Sequence, residues 1–436
     1  MPWDATTLNW VMTDCFIHAS DLHLDQAIGA VGRLADYEDD IARHLALEAR
    51  GALESLVDLA IDRSASFVVL AGDIFHDAKA VPAVQLHFYD QLRRLADEKI
   101  PVFICHGNHD PLHEGFRRTG NLPDEVHVFE NKNPMPPPKT VPLRSGHGSV
   151  AVSGLSFSQR YEEENLALRF HDLEPVDVPH IAVLHADLEG HTGHKAYAPC
   201  SLSDLREAPV DYWALGHIHL RAVEDLGPGR YAAYCGNLQG RHFKDSECHP
   251  KGALVVPISE HGIGEPEFVA CDRVRFVKSD VTVDADQEIA DVLREARDEA
   301  ERVGNDAGDR PVVWSLRLEG WFSNTSELRD AFKYSKNDHW HVEIRDLLNG
   351  GGLAEFHDKD VKNPLSVDEL VAAGGFPAEL VGATKEENEV GTKIDELVAD
   401  LLASVKEQFD YDEAARTEIA RLTFENLRLF LAGNDG

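Results

Sequence analysis

Four short strings concentrate the chemistry of this chain: Asp21-Leu22-His23, Gly72-Asp73, Gly107-Asn108-His109-Asp110 and Gly216-His217-Ile218-His219, with His185 alone between the last two. Together they offer carboxylate, amide and imidazole groups. Hard oxygen and borderline nitrogen ligands in this mixture suit Mn²⁺, Fe or Zn²⁺, and two such ions close together can clamp both the attacking and the leaving oxygen of a phosphodiester. Asp21 and His23, alternate residues after a strand, can give one ion an oxygen and a nitrogen. Asp73 can bridge, offering one carboxylate oxygen to each ion. Asn108, His185 and His217 can complete the second ion, and His219 returns to the first. A water between the ions loses much of its proton affinity and becomes the in-line nucleophile.

His109 is not needed as a ligand. It reads as the group that stabilises or protonates the leaving oxygen, with Asp110 setting its tautomer and orientation. His76, three residues beyond Asp73, can reach the phosphate from another side. The catalytic candidates are therefore His109, His76 and Asp110, and the metal candidates Asp21, His23, Asp73, Asn108, His185, His217 and His219. His113, His127, His147, His191, His194, His242, His249 and His261 have no such placement and read as ordinary polar residues.

These side chains need a scaffold that ends several strands at one edge. Phe16 to Ser20 is a short apolar strand stopping at Asp21. Ile41 to Asp62 repeats apolar residues at helical spacing. Phe67 to Ala71 is a wholly apolar strand ending at Gly72-Asp73, Val84 to Lys99 reads as an amphipathic helix, and Ile100 to Ile104 is a strand ending just before Gly107. The unit is β-α-β-α-β, and in open α/β sheets ligands bind at the carboxyl ends of the strands. Shorter strands follow at Val126–Phe129, Ser149–Phe157, His180–Leu184, Tyr212–Leu215 and Ala232–Tyr234, which predicts a second sheet packed on the first. From Val274 a strand, a helix (Gln287 to Val303) and a strand (Val312 to Leu318) form a small α/β cap. Beyond Asp346 the chain reads as loop-rich, through Gly350-Gly351-Gly352, and ends in two amphipathic segments, one with Ile394, Leu397, Leu401, Val405 and Phe409 on a single face. The expected division is an N-terminal extension (1–14), a catalytic domain (15–272), an α/β capping domain (273–345) and a loop-rich, helical C-terminal region (346–436).

Length and composition bound the partners. A chain of 436 residues with 43% hydrophobic and 27% charged residues is of ordinary globular composition, long enough for two or three domains. No apolar run is long enough for a membrane span, and residues 1 to 14 lack the basic and apolar regions of a secretory signal. Six scattered cysteines without a Cys-x-x-Cys pair read as reduced, buried thiols of a cytoplasmic protein. The net charge of −35 runs against the basic face expected of a free-standing nucleic-acid binder. Either cations, a local basic patch or a partner handles the polyanion, or the acidity is general solvation suited to a salty cytoplasm.

With those residues assembled, the chain resembles the calcineurin-like metallophosphoesterases, and within them the DNA repair exonuclease branch that includes the nuclease subunit of SbcCD and the YhaO-type proteins. The superfamily likeness spans about Phe16 to Asp272. The branch rests on Gly72-Asp73-Ile74-Phe75-His76, on Tyr212 to His219 followed by Arg221, and on Gly236 to Phe243. The resemblance implies a four-layered α/β/β/α sandwich and Mn²⁺ as the usual activating ion, with Fe, Zn²⁺ or Mg²⁺ as alternatives. It implies ligation by the seven metal candidates, a catalytic role for His109 and a second active-site histidine at His76. It also implies DNA as substrate and a coiled-coil ATPase partner of the SbcC or YhaN kind, and it admits a homodimer.

The reading is a dinuclear, metal-dependent phosphodiesterase acting on DNA ends. One rival is a phosphodiesterase or phosphatase of nucleotides or other small phosphoesters. The other is a non-catalytic interaction subunit with a vestigial metal site, which the complete ligand set argues against. The apolar face at residues 394–409 is read as the docking helix for the ATPase.

Overall fold

The computed structural model describes residues 14–26, 28, 39–77, 82–112, 122–189, 197–332 and 339–362. The amphipathic segments expected after residue 390 lie outside the described residues, as do His113, His191 and His194. The chain divides into two compact units, Met1–Gly320 with Ser326–Val361, and Trp321–Thr325 with Lys362–Gly436. The two larger sheets and the site belong to the first.

Strands that are apolar at every position must bury both faces, and their alternation decides which layer each side chain joins. Helix α1 (Asp39–Arg50) precedes α2 (Ala52–Asp62); in β1 (Cys15–Ala19), Ile17 and Ala19 join the helical layer of α2, while Phe16 faces the opposite way. In β2 (Phe67–Ala71), Val68 and Leu70 share that helical layer, joined by Phe88, Tyr89 and Leu92 of α3 (Pro82–Asp97); Phe67, Val69 and Ala71 point inward with Phe16. β3 (Val102–Cys105) divides likewise, Ile104 outward and Phe103 inward, and β4 (Val126–Val128) closes the edge. The stretch expected as one helix over residues 41–62 is parted at Gly51, whose N–H reaches back to the Glu48 carbonyl at 2.8 Å.

The second sheet repeats the logic in mirror image. β5 (Lys139–Pro142), β6 (Ser149–Leu155), β7 (His180–His185), β8 (Tyr212–Gly216), β9 (Ala222–Gly227) and β10 (Arg230–Tyr234) lie in the order β5-β6-β7-β8-β10-β9. Val150, Val152, Ile181, Val183, Tyr212 and Ala214 meet the inward residues of the first sheet. Ala182, Leu184, Trp213 and Leu215 face out against the 3-10 helix Leu166–Asp172 and α4 (Leu202–Glu207). The result is the α/β/β/α sandwich. The first sheet is completed by β11 (Gly252–Ser259), β12 (Gly262–Ile263) and β13 (Glu267–Ala270), in the order β12-β11-β1-β2-β3-β4 with β13 on β11. These last strands, together with β5 and β9, are absent from the sequence-based expectation.

Polar pegs register the two sheets. His18 of β1 is fully buried, its Nδ1 3.0 Å from the Tyr212 hydroxyl and its Nε2 3.2 Å from the Leu215 carbonyl. Burial pushes its pKa down to about 3, so the neutral ring donates to Leu215 and accepts from Tyr212. The Ala71 carbonyl of β2 accepts from His185 Nδ1 at 3.0 Å, and a Cβ on Gly216 would sit 1.8 Å from the same oxygen. Gly216→Ala must therefore force β8 away from β2. It is expected to cost about 1–3 kcal/mol, the scale of overpacking, read as a lower midpoint in thermal melting; an unchanged midpoint would show that the sheets separate there without cost.

The cap is a third sheet, β14 (Arg275–Val283), β15 (Val312–Trp321) and β16 (Gly352–Lys362) in that order. β14 and β15 run parallel and are joined by α5 (Ile289–Ala307). The sheet continues past residue 345 into a segment expected to be loop. Its glycines misled: a Cβ on Gly351 would lie 1.8 Å from the Val312 carbonyl, so they serve a close strand approach. Leu45 and Ala49 of α1 share a core with Val274, Phe276 and Val313, and residue 272/273 marks a change of sheet within one unit.

Candidate metal centre

Every candidate ligand sits at the carboxyl edge of a strand: Asp21 and His23 after β1, Asp73 after β2, Asn108 after β3, His185 at the end of β7, and His217 and His219 after β8. The backbone there is strained. Asp21, His23, Asp73 and His217 have φ of 52°, 43°, 52° and 101°, the left-handed region that side chains other than glycine rarely adopt and that persists where surroundings over-determine it. Backbone hydrogen bonds supply that constraint, from Asp21 N–H to the Gly72 carbonyl and from His23 N–H to the Asp73 carbonyl, both 3.0 Å.

All seven ligand candidates come together, in two groups that share Asp73. Asp21, His23 and His219 form the first: the Nε2 atoms of the two histidines are 3.2 Å apart, and His219 Nε2 is 3.8 Å from Asp21 Oδ1. The second holds His185 Nε2 3.0 Å from Asn108 Oδ1, with His217 Nδ1 3.2 Å from that same oxygen. Asp73 Oδ2 lies 3.5 Å from His185 Nε2 and 3.8 Å from His23 Nε2.

Tautomers decide what these contacts mean. His185 Nδ1–H donates to Ala71 and His219 Nδ1–H to Glu247 Oε1 at 2.5 Å, so each ring turns its Nε2 toward the cluster; burial would lower the His219 pKa, but its bond to Glu247 and the nearby Asp21 override that and raise it. His185 Nε2 thus faces two oxygen acceptors, and His219 Nε2 faces Asp21 and another ring nitrogen. Where two lone pairs meet in such a contact, a proton or a metal cation must lie between them. Burial, then Asp110 and Asp21, push Asp73 well above the usual carboxylate range. Burial, then His219, drive His23 well below its ordinary value; burial, then His185, take His217 down to about 2. His23 Nδ1 and His217 Nε2 are buried without a hydrogen-bond partner. Buried imidazoles turned toward a carboxylate that does not ionise cheaply alone fit divalent metal ions.

His109 lies against this cluster, its ring centroid 5.0 Å from that of His23 and stacked on His76 at 4.6 Å. Its N–H donates to Asp73 Oδ1 at 2.9 Å and its Nδ1 to the His76 carbonyl at 2.9 Å, which leaves Nε2 as the nitrogen open to a proton. The expectation that Asp110 orients His109 is corrected by this bond. Asp110 is fully buried and accepts from the N–H groups of Ile74 (2.9 Å), Phe75 (3.3 Å) and Gly107 (3.0 Å), with His106 Nδ1 at 3.3 Å. It ties the Asp73 loop to the Asn108 loop, and its distance from the reacting side follows from that work.

The sequence reading missed Glu247, which follows His219 at no diagnostic spacing, and did not assign Arg241 a role. Burial alone would raise Glu247; its bond to His219 overrides that and takes it down to about 2. Burial lowers the Arg241 guanidinium to about 10. Tyr197 is 5.2 Å from His217 between ring centroids, and Tyr161, 54% exposed, stacks on Tyr197 at 6.0 Å.

A two-sheet α/β/β/α sandwich that gathers Asp, Asn and His at its strand ends is a metallophosphoesterase framework, and the comparisons agree. The calcineurin-like phosphoesterase family model matches residues 16–221. The uncharacterized metallophosphoesterase YhaO of Bacillus subtilis is 32% identical over 313 residues, 71% of this chain and 73% of that protein. The DNA double-strand break repair protein Mre11 of Haloferax volcanii is 28% identical over 321 residues (70% of this chain, 61% of the relative), and that of Sulfurisphaera tokodaii 24% over 247 (56% and 59%). The chain thus covers less than two thirds of either Mre11 relative. It belongs to the calcineurin-like phosphoesterase family, whose members normally bind divalent metals. No helix among the described residues is long and apolar enough to cross a membrane.

Proposed function

We infer that this chain is a dinuclear, Mn²⁺-dependent phosphodiesterase acting on DNA ends. The observation that carries the reading is the pair of Asp, Asn and His clusters meeting at Asp73, each of which a divalent cation would satisfy. Asp21, His23 and His219 would hold one ion, Asn108, His185 and His217 the other, and Asp73 would serve both. Such ions supply Lewis acidity to phosphate oxygens and lower the proton affinity of the attacking water. His109, oriented by the His76 carbonyl, donates from Nε2 to the leaving oxygen when protonated. His76, stacked on it, fixes the ring plane and faces the same substrate. Asp110 holds the two loops in register.

The Tyr161–Tyr197 stack beside His217 favours a substrate with bases over a bare small ester, because aromatic faces take any base by stacking. The two Mre11 relatives, by their names repair proteins of DNA double-strand breaks, support the same choice. A net charge of −35 opposes unaided DNA binding, so a coiled-coil ATPase docking on residues 394–409, whose sequence spacing reads as an amphipathic helix, completes the proposal. Activity should vanish on chelation and return with Mn²⁺, and labelled duplex and hairpin DNA should be cut alongside bis-nitrophenyl phosphate. Turnover of the small ester with DNA untouched would move the protein to the small-phosphoester reading; no turnover of either with metal bound would make the site vestigial.

A further inference from the structure

The segment between β10 and β11 forms a belt behind the first ligand group. It lies beyond residue 221, where the family match ends. Glu247 is 2% exposed and spends both oxygens inward: Oε1 accepts from His219 Nδ1 at 2.5 Å, and Oε2 from Asn237 Nδ2 and from the Arg241 N–H, each at 3.0 Å. Arg241 in turn donates to the Leu22 carbonyl at 2.8 Å and the Gln26 carbonyl at 2.9 Å. Lys251 Nζ donates to the His219 carbonyl at 2.8 Å. One belt thus grips the His219 ring, the His219 backbone and the loop that carries Asp21 and His23.

We propose that Glu247 is a positioning residue for the ion held by Asp21, His23 and His219, fixing His219 as the tautomer whose Nε2 is free to ligate and strengthening it as a donor. This rests on the dinuclear reading above. A carboxylate on the far nitrogen of a ligating histidine sets ring orientation and ligand basicity, and its loss typically costs 10- to 100-fold in metal affinity. In the second group the far nitrogen of His185, Nδ1, meets the Ala71 carbonyl instead of a carboxylate. The effect should therefore be confined to one ion.

The test is Mn²⁺ titration of the metal-free full chain by calorimetry, for the parent, Glu247→Gln and Glu247→Asp. The glutamine keeps the shape but sets an amide donor against either His219 or the Asn237–Arg241 pair of donors. The aspartate keeps the charge but falls short of His219. Both variants should bind one ion as the parent does and the other about 10 to 100 times more weakly, while the metal-free protein still melts cooperatively, at a lower midpoint because buried donors lose their acceptor. Two ions bound at parental affinity by both variants overturn the proposal, as does equal weakening of both ions. Collapse of the fold in both variants would make Glu247 structural and overturn it too, and if one collapses the other decides. A parent that binds fewer than two ions instead removes the dinuclear reading itself.

Discussion

Asp73→Asn is expected to lower hydrolysis by about 10² to 10⁴ while making the metal-free protein more stable. The exchange keeps the shape, so the carboxamide oxygen can still accept from the His109 N–H that reaches Asp73 Oδ1 at 2.9 Å. It removes a carboxylate charge placed between the two ligand groups. Loosening the hold on both ions together is expected to lower turnover by about 10² to 10⁴; Asp21 also approaches both groups, grouped with Asp73 and His185 and accepting from the His217 N–H. Stability should move the other way without metal. Burial and the Asp110 and Asp21 carboxylates raise the Asp73 pKa, so a charged Asp73 opposes the metal-free fold near neutrality. An amide has no such charge, and its N–H can face the lone pairs of His23 and His185. Thermal melting in chelator should therefore rise, while metal analysis after reconstitution should fall below two ions per chain. Two retained ions with full turnover would remove Asp73 from its bridging place.

Asp73 is legible in the sequence because it follows a strand that is apolar at all five positions. A wholly apolar strand in a parallel sheet ends at a defined edge, so the next polar residue is placed by the sheet itself. The same reasoning places Asp21, Asn108, His185 and His217. It fails wherever a residue acts through another element. Asp110 stands beside His109 in sequence, yet its carboxylate turns back to the amides of Ile74 and Phe75. Nothing in adjacent spacing shows that two loops converge there. Glu247 is legible only once β10 and β11 are paired into their different sheets. The missed strand β11 is apolar, but Pro257 interrupts it, and proline argues against a strand interior. Here Pro257 sits opposite Cys15 at the end of the β1 register, where the lost N–H costs little.

His109 separates metal binding from chemistry most cleanly. Its backbone N–H anchors Asp73, and its side chain bonds to the His76 carbonyl, so His109→Ala and His109→Asn should leave both ligand groups standing. Metal content should be unchanged. Turnover on DNA, whose leaving group is a poor alkoxide, should fall by about 10² to 10⁴, the usual scale for a positioned acid or a charge-stabilising donor. An ester that expels nitrophenolate needs no such proton and should lose far less. Burial lowers the His109 pKa, so its charged form is disfavoured until an anionic phosphate arrives beside it, and the substrate itself then helps to load the proton it will receive. Equal losses on DNA and on the nitrophenyl ester would eliminate the proton-donor role and leave charge stabilisation alone. Loss of metal together with activity would make His109 a ligand, and the count of groups meeting the ions would have to be redrawn.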